Sequence, residues 1–129
     1  MSARKEYRVA GQAEPISHYT DAVRAGDLLF VSGCIAVDES GTLVGGDDVV
    51  EQARQVFRNL GAVLAAAEAT FADVVKVTVF LTDVDDRARI NPVRQEVFGD
   101  VRPASTLVEV SRLAVPGSKI EVEAVALLP

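Results

Sequence analysis

The chain has 129 residues and a formal net charge of −6, a length that suits one domain able to bury an adequate core without staples. Hydrophobic residues make up 49% but aromatics only 5%, with no Trp, so the apolar mass is Val, Ala and Leu, suited to strands and close-packed helices. No apolar run is long enough to span a membrane, and one cysteine excludes an internal disulfide, while Cys34 with a lone His18 cannot complete a tetrahedral zinc site.

The first 18 residues mix polar and apolar side chains around Pro15 with no sustained period, and read as an irregular arm. Residues 1–7 lack the apolar stretch of a secretion signal. A short strand is expected over 19–24, then a turn at Ala25-Gly26-Asp27. A buried strand over 28–32 ends at Gly33, and the pair reads as a hairpin. Residues 38–46, rich in Gly, Asp and Ser, read as loop. Val49, Ala53, Val56, Leu60, Val63 and Ala67 then step by four and three, with Val50, Phe57 and Leu64 widening the stripe. Asp48 followed by Glu51 resembles a capping box, so a helix of about five turns starts there.

Residues 73–81 alternate as a strand. Asp83, Asp85 and Asp86 offer caps for a shorter helix that ends near Phe98 and stops at Gly99. Asn91-Pro92 admits two readings: Asn91 caps and Pro92 opens the helix, or Pro92 kinks a helix begun near Asp86. Strands over 105–110 and 119–128 close the chain.

The order β-β-α-β-α-β-β makes 1–129 a single α+β domain. Right-handed crossovers place its two helices on one face of a mixed sheet. Strands 73–81 and 119–128 carry apolar side chains on both sides, so the bare face needs a cover. With no third helix, the natural cover is another copy of the chain.

Several strings also resemble a known family. Ser17-His18-Tyr19-Thr20-Asp21-Ala22-Val23 and Leu29-Phe30-Val31-Ser32-Gly33 look like the opening of the RidA (YjgF/YER057c) family. Gln52, Asn59-Leu60, the strand from Asp73 to Leu81, Asn91, Pro103-Ala104, Val108-Glu109-Val110 and Ile120-Glu121-Val122-Glu123-Ala124-Val125-Ala126 match in order and spacing. The resemblance implies a chorismate-mutase-like fold and a homotrimer with small-molecule clefts between subunits. It implies hydrolysis of enamine or imine intermediates, such as 2-aminoacrylate, to a 2-keto acid and ammonia. No cofactor is implied. In that chemistry a glutamate on the last strand orients water, a tyrosine lines the pocket, and an arginine grips the substrate carboxylate. Glu121 and Tyr19 occupy the matching positions. The family's Pro-Ala-Arg-Ser reads Pro103-Ala104-Ser105-Thr106, so Ser105 stands where the guanidinium is expected. That points to a substrate of non-standard identity, or to another cation reaching the cleft, from Arg102, Arg112, Arg24 or Lys119.

Each residue also has a plainer reading. Glu121 suits an interface ion pair, and Tyr19 simple packing. Ser105 and Thr106 suit pocket lining, and Arg102 a solvated charge. Asn91 suits a helix cap or a cleft contact. Cys34 reads as a small buried hydrophobe or, with His18 lowering its pKa, a nucleophile. The lone cysteine and absent signal point to the cytoplasm. The acidic charge opposes nucleic-acid partners, which ranks a ribonuclease reading below both a hydrolase and a non-catalytic metabolite sensor.

Overall fold

The computed structural model describes residues 4–129. Its elements are strands β1 (Arg4–Tyr7), β2 (Ala22–Ala25) and β3 (Leu28–Cys34), helix α1 (Val49–Ala66), strand β4 (Val74–Leu81), helix α2 (Arg87–Phe98), and strands β5 (Ala104–Glu109) and β6 (Ile120–Leu127). They form one six-stranded sheet in the order β1-β2-β3-β6-β4-β5. Only β4 and β5 pair in parallel, joined through α2. The other neighbours are antiparallel, so the sheet is mixed, as the order of elements implies. The last strand slots between β3 and β4, which α1 connects.

Helix α1 starts where its cap chemistry dictates. The Asp48 carboxylate accepts from the amides of Val50 (2.9 Å) and Glu51 (3.3 Å), satisfying donors that the first turn leaves free. Its apolar stripe lies on β3 and β6 and against α2. Val56, Leu60 and Leu64 are fully buried against Val77, Val79, Ile120 and Val122 from the helix-facing side of the sheet. A fully buried polar side chain, Gln52, sits in this core. Gln52 donates to the carbonyls of Gly46 (2.6 Å) and Gly117 (3.0 Å) and accepts from the Lys119 amide (2.8 Å). A buried amide is tolerated there because its donors and its acceptor are used, and the last bond fixes the entry into β6.

Helix α2 begins at Arg87, directly after a 3-10 turn at Val84–Asp86 capped by Asp83. Pro92 therefore lies inside the helix and Asn91 is not its cap, which decides between the two readings of Asn91-Pro92. Gly99, at φ +59° and ψ −126°, ends the helix in a conformation that a β-carbon disfavours.

The N-terminal arm is not irregular throughout. Arg4–Tyr7 forms an edge strand in register with β2. Its four residues are too few and too polar to show a period-2 pattern; ladder hydrogen bonds, not apolar burial, hold it. The first expected strand also shortens, to Ala22–Ala25, and β3 extends past Gly33 to Cys34 through a register shift after Val31. The sheet face away from the helices is bare among the described residues. Phe30 is 46% exposed and Leu127 52%, an apolar surface of the kind the strand patterns imply.

Candidate functional site

Alternation along β6 sends Ile120, Val122 and Ala124 into the core and leaves Glu121 and Glu123 on the opposite face. Glu121 folds back over Gly33 on β3. A β-carbon built on Gly33 would lie 2.7 Å from the Glu121 carboxyl carbon, so only glycine leaves room for that side chain. The carboxyl group is half-buried and makes no hydrogen bond or ion pair among the described residues. Burial, and secondarily the charge of Glu123, pushes its pKa above the ordinary glutamate value. A carboxylate in that state is poised to take a proton from water.

Beside Gly33 opens a hollow of about 500 Å³, lined among others by Tyr19, Asp21, Gly33, Cys34, Asn59 and Val115. Tyr19 is 47% exposed, and its hydroxyl accepts from the Ile16 amide at 3.3 Å. Asn59 on α1 donates to the carbonyls of Ile35 (3.0 Å) and Val37 (2.9 Å), tying the hollow's far wall to the helix. Asp21 is already neutralised: it accepts from the Arg8 guanidinium and, at 2.7 Å, from the Val9 amide. Residue pattern alone did not single out this pair, because its partners lie 13 positions apart across irregular backbone.

Cys34 is not an activated nucleophile. Burial, then the nearby carboxylates of Asp21 and Glu121, push its thiol up to about 12, so the thiolate is scarce at neutral pH. Its Sγ lies 3.6 Å from the Ser32 carbonyl oxygen. His18 is exposed and borders a different hollow, with Glu6 and Val23. The anticipated Cys–His couple is therefore not formed. The chain around Thr20 and Asp21 is pinned to Tyr7 and Ser32 by hydrogen bonds, and His18 lies in the bend before it, outside the strand.

The second group of expected residues assembles elsewhere. Asn91, Arg94, Gln95 and Phe98 recur at three- and four-residue steps and so share one stripe of α2. With Arg102, Pro103 and Ser105 they line a hollow of about 470 Å³ at the start of β5. Arg94 Nη2 donates to Ser105 Oγ at 2.8 Å. Thr106, one residue on, turns its side chain to the other face of the strand, where its hydroxyl accepts from Lys76 Nζ at 2.7 Å; it does not join Ser105 in the hollow. Of the cations expected to replace the family arginine, Arg102 reaches this hollow, whereas Arg24 donates to the Gly26 carbonyl in the hairpin turn (2.8 Å). Arg94 was not among them. The signal that finds it is the polar stripe itself, running beside the buried Ile90 and Val93.

In the sheet order, β6 and β4 lie between β3 and β5. Three interstrand steps, roughly 14 Å, thus divide the Gly33 hollow from the Ser105 hollow, and two, roughly 10 Å, divide Glu121 on β6 from β5.

Comparison with known proteins now bears on what these hollows belong to. Residues 10–128 match the family model described as endoribonuclease L-PSP. The chain belongs to this family, the RidA family. RutC family protein PH0854 of Pyrococcus horikoshii is 46% identical over 114 residues, covering 88% of this chain and 89% of the relative. The human 2-iminobutanoate/2-iminopropanoate deaminase is 40% identical over 113 residues, or 87% of this chain and 81% of the enzyme. Among solved structures, YyfA of Yersinia pestis, of the conserved Rid protein family, superimposes with a TM-score of 0.91 at 32% identity, covering 98% and 100% of the two chains. The α+β fold expected of a RidA-family chain is therefore the fold observed.

Proposed function

We propose that this RidA-family chain is a hydrolase of enamine- or imine-type metabolites that works in clefts between the subunits of a homotrimer. The observation that carries the reading is Glu121: a half-buried carboxyl group with no hydrogen-bond or ion-pair partner among the described residues, folded over Gly33, which itself lines the Tyr19 hollow. A human relative is named for imine deamination at 40% identity, which supports the same chemistry here. The reaction needs few parts. An enamine first tautomerises to the imine. Water then adds to the imine carbon as Glu121 takes its proton, and Glu121 passes that proton to the nitrogen to give the carbinolamine. The hydroxyl proton moves to the amine by the same carboxylate, the C–N bond breaks, and the ketone and ammonia are released with Glu121 regenerated. Tyr19 packs on the substrate, and Asn59 holds the hollow's wall in place.

The bare sheet face supports assembly with further copies of the chain. Phe30, Val108 and Leu127 are exposed, and no described element covers them. In this reading the α2–β5 hollow of one subunit sits against the Gly33 hollow of the next, and so joins two half-sites that one chain holds apart. An acidic chain of net charge −6 gives RNA cleavage little support.

The test is ammonia release from 2-aminoacrylate and larger 2-enamines generated in situ by a dehydratase, with the parent and Glu121→Ala compared and the assembly sized by light scattering. Turnover by the parent, loss in the variant and a trimeric mass are the expected results. Parent and variant both at background would overturn the hydrolase reading, and thermal-shift binding without turnover would assign the clefts to metabolite sensing. A monomer at micromolar concentration would remove the cleft.

A further inference from the structure

We propose that Arg94 is the substrate-gripping cation of this chain, a specificity residue delivered by α2 and held in place by Ser105 to receive a carboxylate. The proposal rests on the inter-subunit cleft described above and assigns the chemistry of its second half.

The geometry is direct. The short Ser105 side chain leaves open the space in front of the β5 edge, and the Arg94 guanidinium enters that space from the helix, donating to Ser105 Oγ at 2.8 Å. One donor is used for anchoring. A guanidinium carries five N–H donors in a planar fork, so the remainder stay available for a bidentate anion.

Arg94 differs from two arginines that are paired with carboxylates. Arg8 is paired with Asp21 and Glu14, and Arg54 with Glu96 and Glu51. Arg94 pairs with no carboxylate among the described residues, yet it is partly desolvated, and that burial lowers its pKa. Taking a cation part-way out of water without a counter-charge is unfavourable. A ligand anion removes the penalty. A second cation, Arg102, borders the same hollow, and Asn91 and Gln95 add neutral hydrogen-bonding groups at its wall. No acidic side chain lines it. The hollow therefore fits a small organic acid, with the carboxylate on Arg94 and the remaining donors on its polar rim.

The decisive measurement is binding, which does not depend on turnover. The probes are 2-oxobutanoate and its uncharged primary amide, titrated calorimetrically into the assembled parent protein. The parent binds the acid and discriminates against the amide. Arg94→Ala weakens acid binding by about 30-fold or more while assembly and melting temperature are retained. Arg94→Lys recovers part of the affinity, since a point charge replaces the fork. The double variant Arg94→Ala/Ser105→Arg restores acid binding, because a guanidinium is then supplied from the strand. A merely structural role would not produce that rescue. Acid binding is read without turnover, so a failed hydrolase reading and a failed Arg94 assignment give different patterns. The assignment is overturned if the parent does not bind the acid, if the amide binds equally well, or if Arg94→Ala leaves acid binding unchanged.

Discussion

Two regions of the same sheet, its centre and its β5 edge, carry opposite charges that have no ion-pair partner among the described residues. At the β3–β6 centre, Glu121 is a half-buried carboxyl group, and the charges that act on it and on its neighbour Cys34 are those of carboxylates, Glu123 and Asp21. At the α2–β5 edge, Arg94 is a partly desolvated guanidinium with no anion. Elsewhere the chain pairs such groups locally, as Arg8 does with Asp21 and Arg54 with Glu96. Leaving two of them without an ion pair among the described residues, of opposite sign and two strand-steps apart, is costly for an isolated fold but useful for a cleft. A substrate with an acid at one end and an electrophilic carbon at the other needs a cation and a base that do not neutralise each other first.

The sharpest way to break this contrast is to remove the charge at the centre. Glu121→Gln keeps shape and deletes the base, so the rate should fall at least about 100-fold. The parent's pH–rate profile should place its acid limb above the ordinary glutamate range, because burial raises the pKa of Glu121. Stability should respond in the opposite sense. A raised carboxyl pKa means that the native state holds the proton more tightly than the unfolded chain does, so this group's contribution falls as pH climbs through the raised value. Glu121→Gln should therefore unfold no more easily than the parent at neutral pH, with any advantage fading below the ordinary glutamate pKa. An acid limb at the ordinary glutamate value, or a variant less stable only at neutral pH, would contradict the assigned desolvation.

Gly33→Ala tests the same region with the charge intact. The added methyl overlaps the Glu121 carboxyl, a flexible tip that can swing aside, so the fold should survive. The expected result is a loss of about tenfold or more in kcat with a melting temperature close to the parent's. Full activity would show that Glu121 does not act from its position over Gly33.

Much of this was legible in the residues. The α1 stripe and its Asp48 cap fixed the longest helix, and the two-sided apolar strands implied an uncovered face. Strand alternation correctly placed Glu121 and Glu123 on one side. What periodicity does not carry is tertiary juxtaposition. β1 was invisible because three charged edge residues and a single Tyr7 leave no hydrophobic period. Arg94 read as one more polar position on a helix of low amphipathicity, since its meaning depends on Ser105, 11 residues away on another element. The pairing of Gly33 with Glu121 depends on a register shift after Val31 that turn chemistry did not announce.

The smallest expected effect separates the two regions most cleanly from a third possibility, thiol chemistry. Cys34 lines the Tyr19 hollow beside Gly33, and its position alone invites a catalytic role. Its environment opposes one. Burial and two carboxylates hold the thiol up to about 12, whereas a nucleophilic cysteine needs a nearby cation or helix N-terminus to lower it. Cys34→Ser should leave kcat within about twofold of the parent, since the serine hydroxyl offers a donor of similar size to the Ser32 carbonyl. Iodoacetamide at pH 8 should label the native protein far more slowly than the urea-unfolded chain. Rapid labelling of the native form together with loss of activity would put a thiolate in the cleft, and the carboxylate at Glu121 would then have to serve as its base instead of water's.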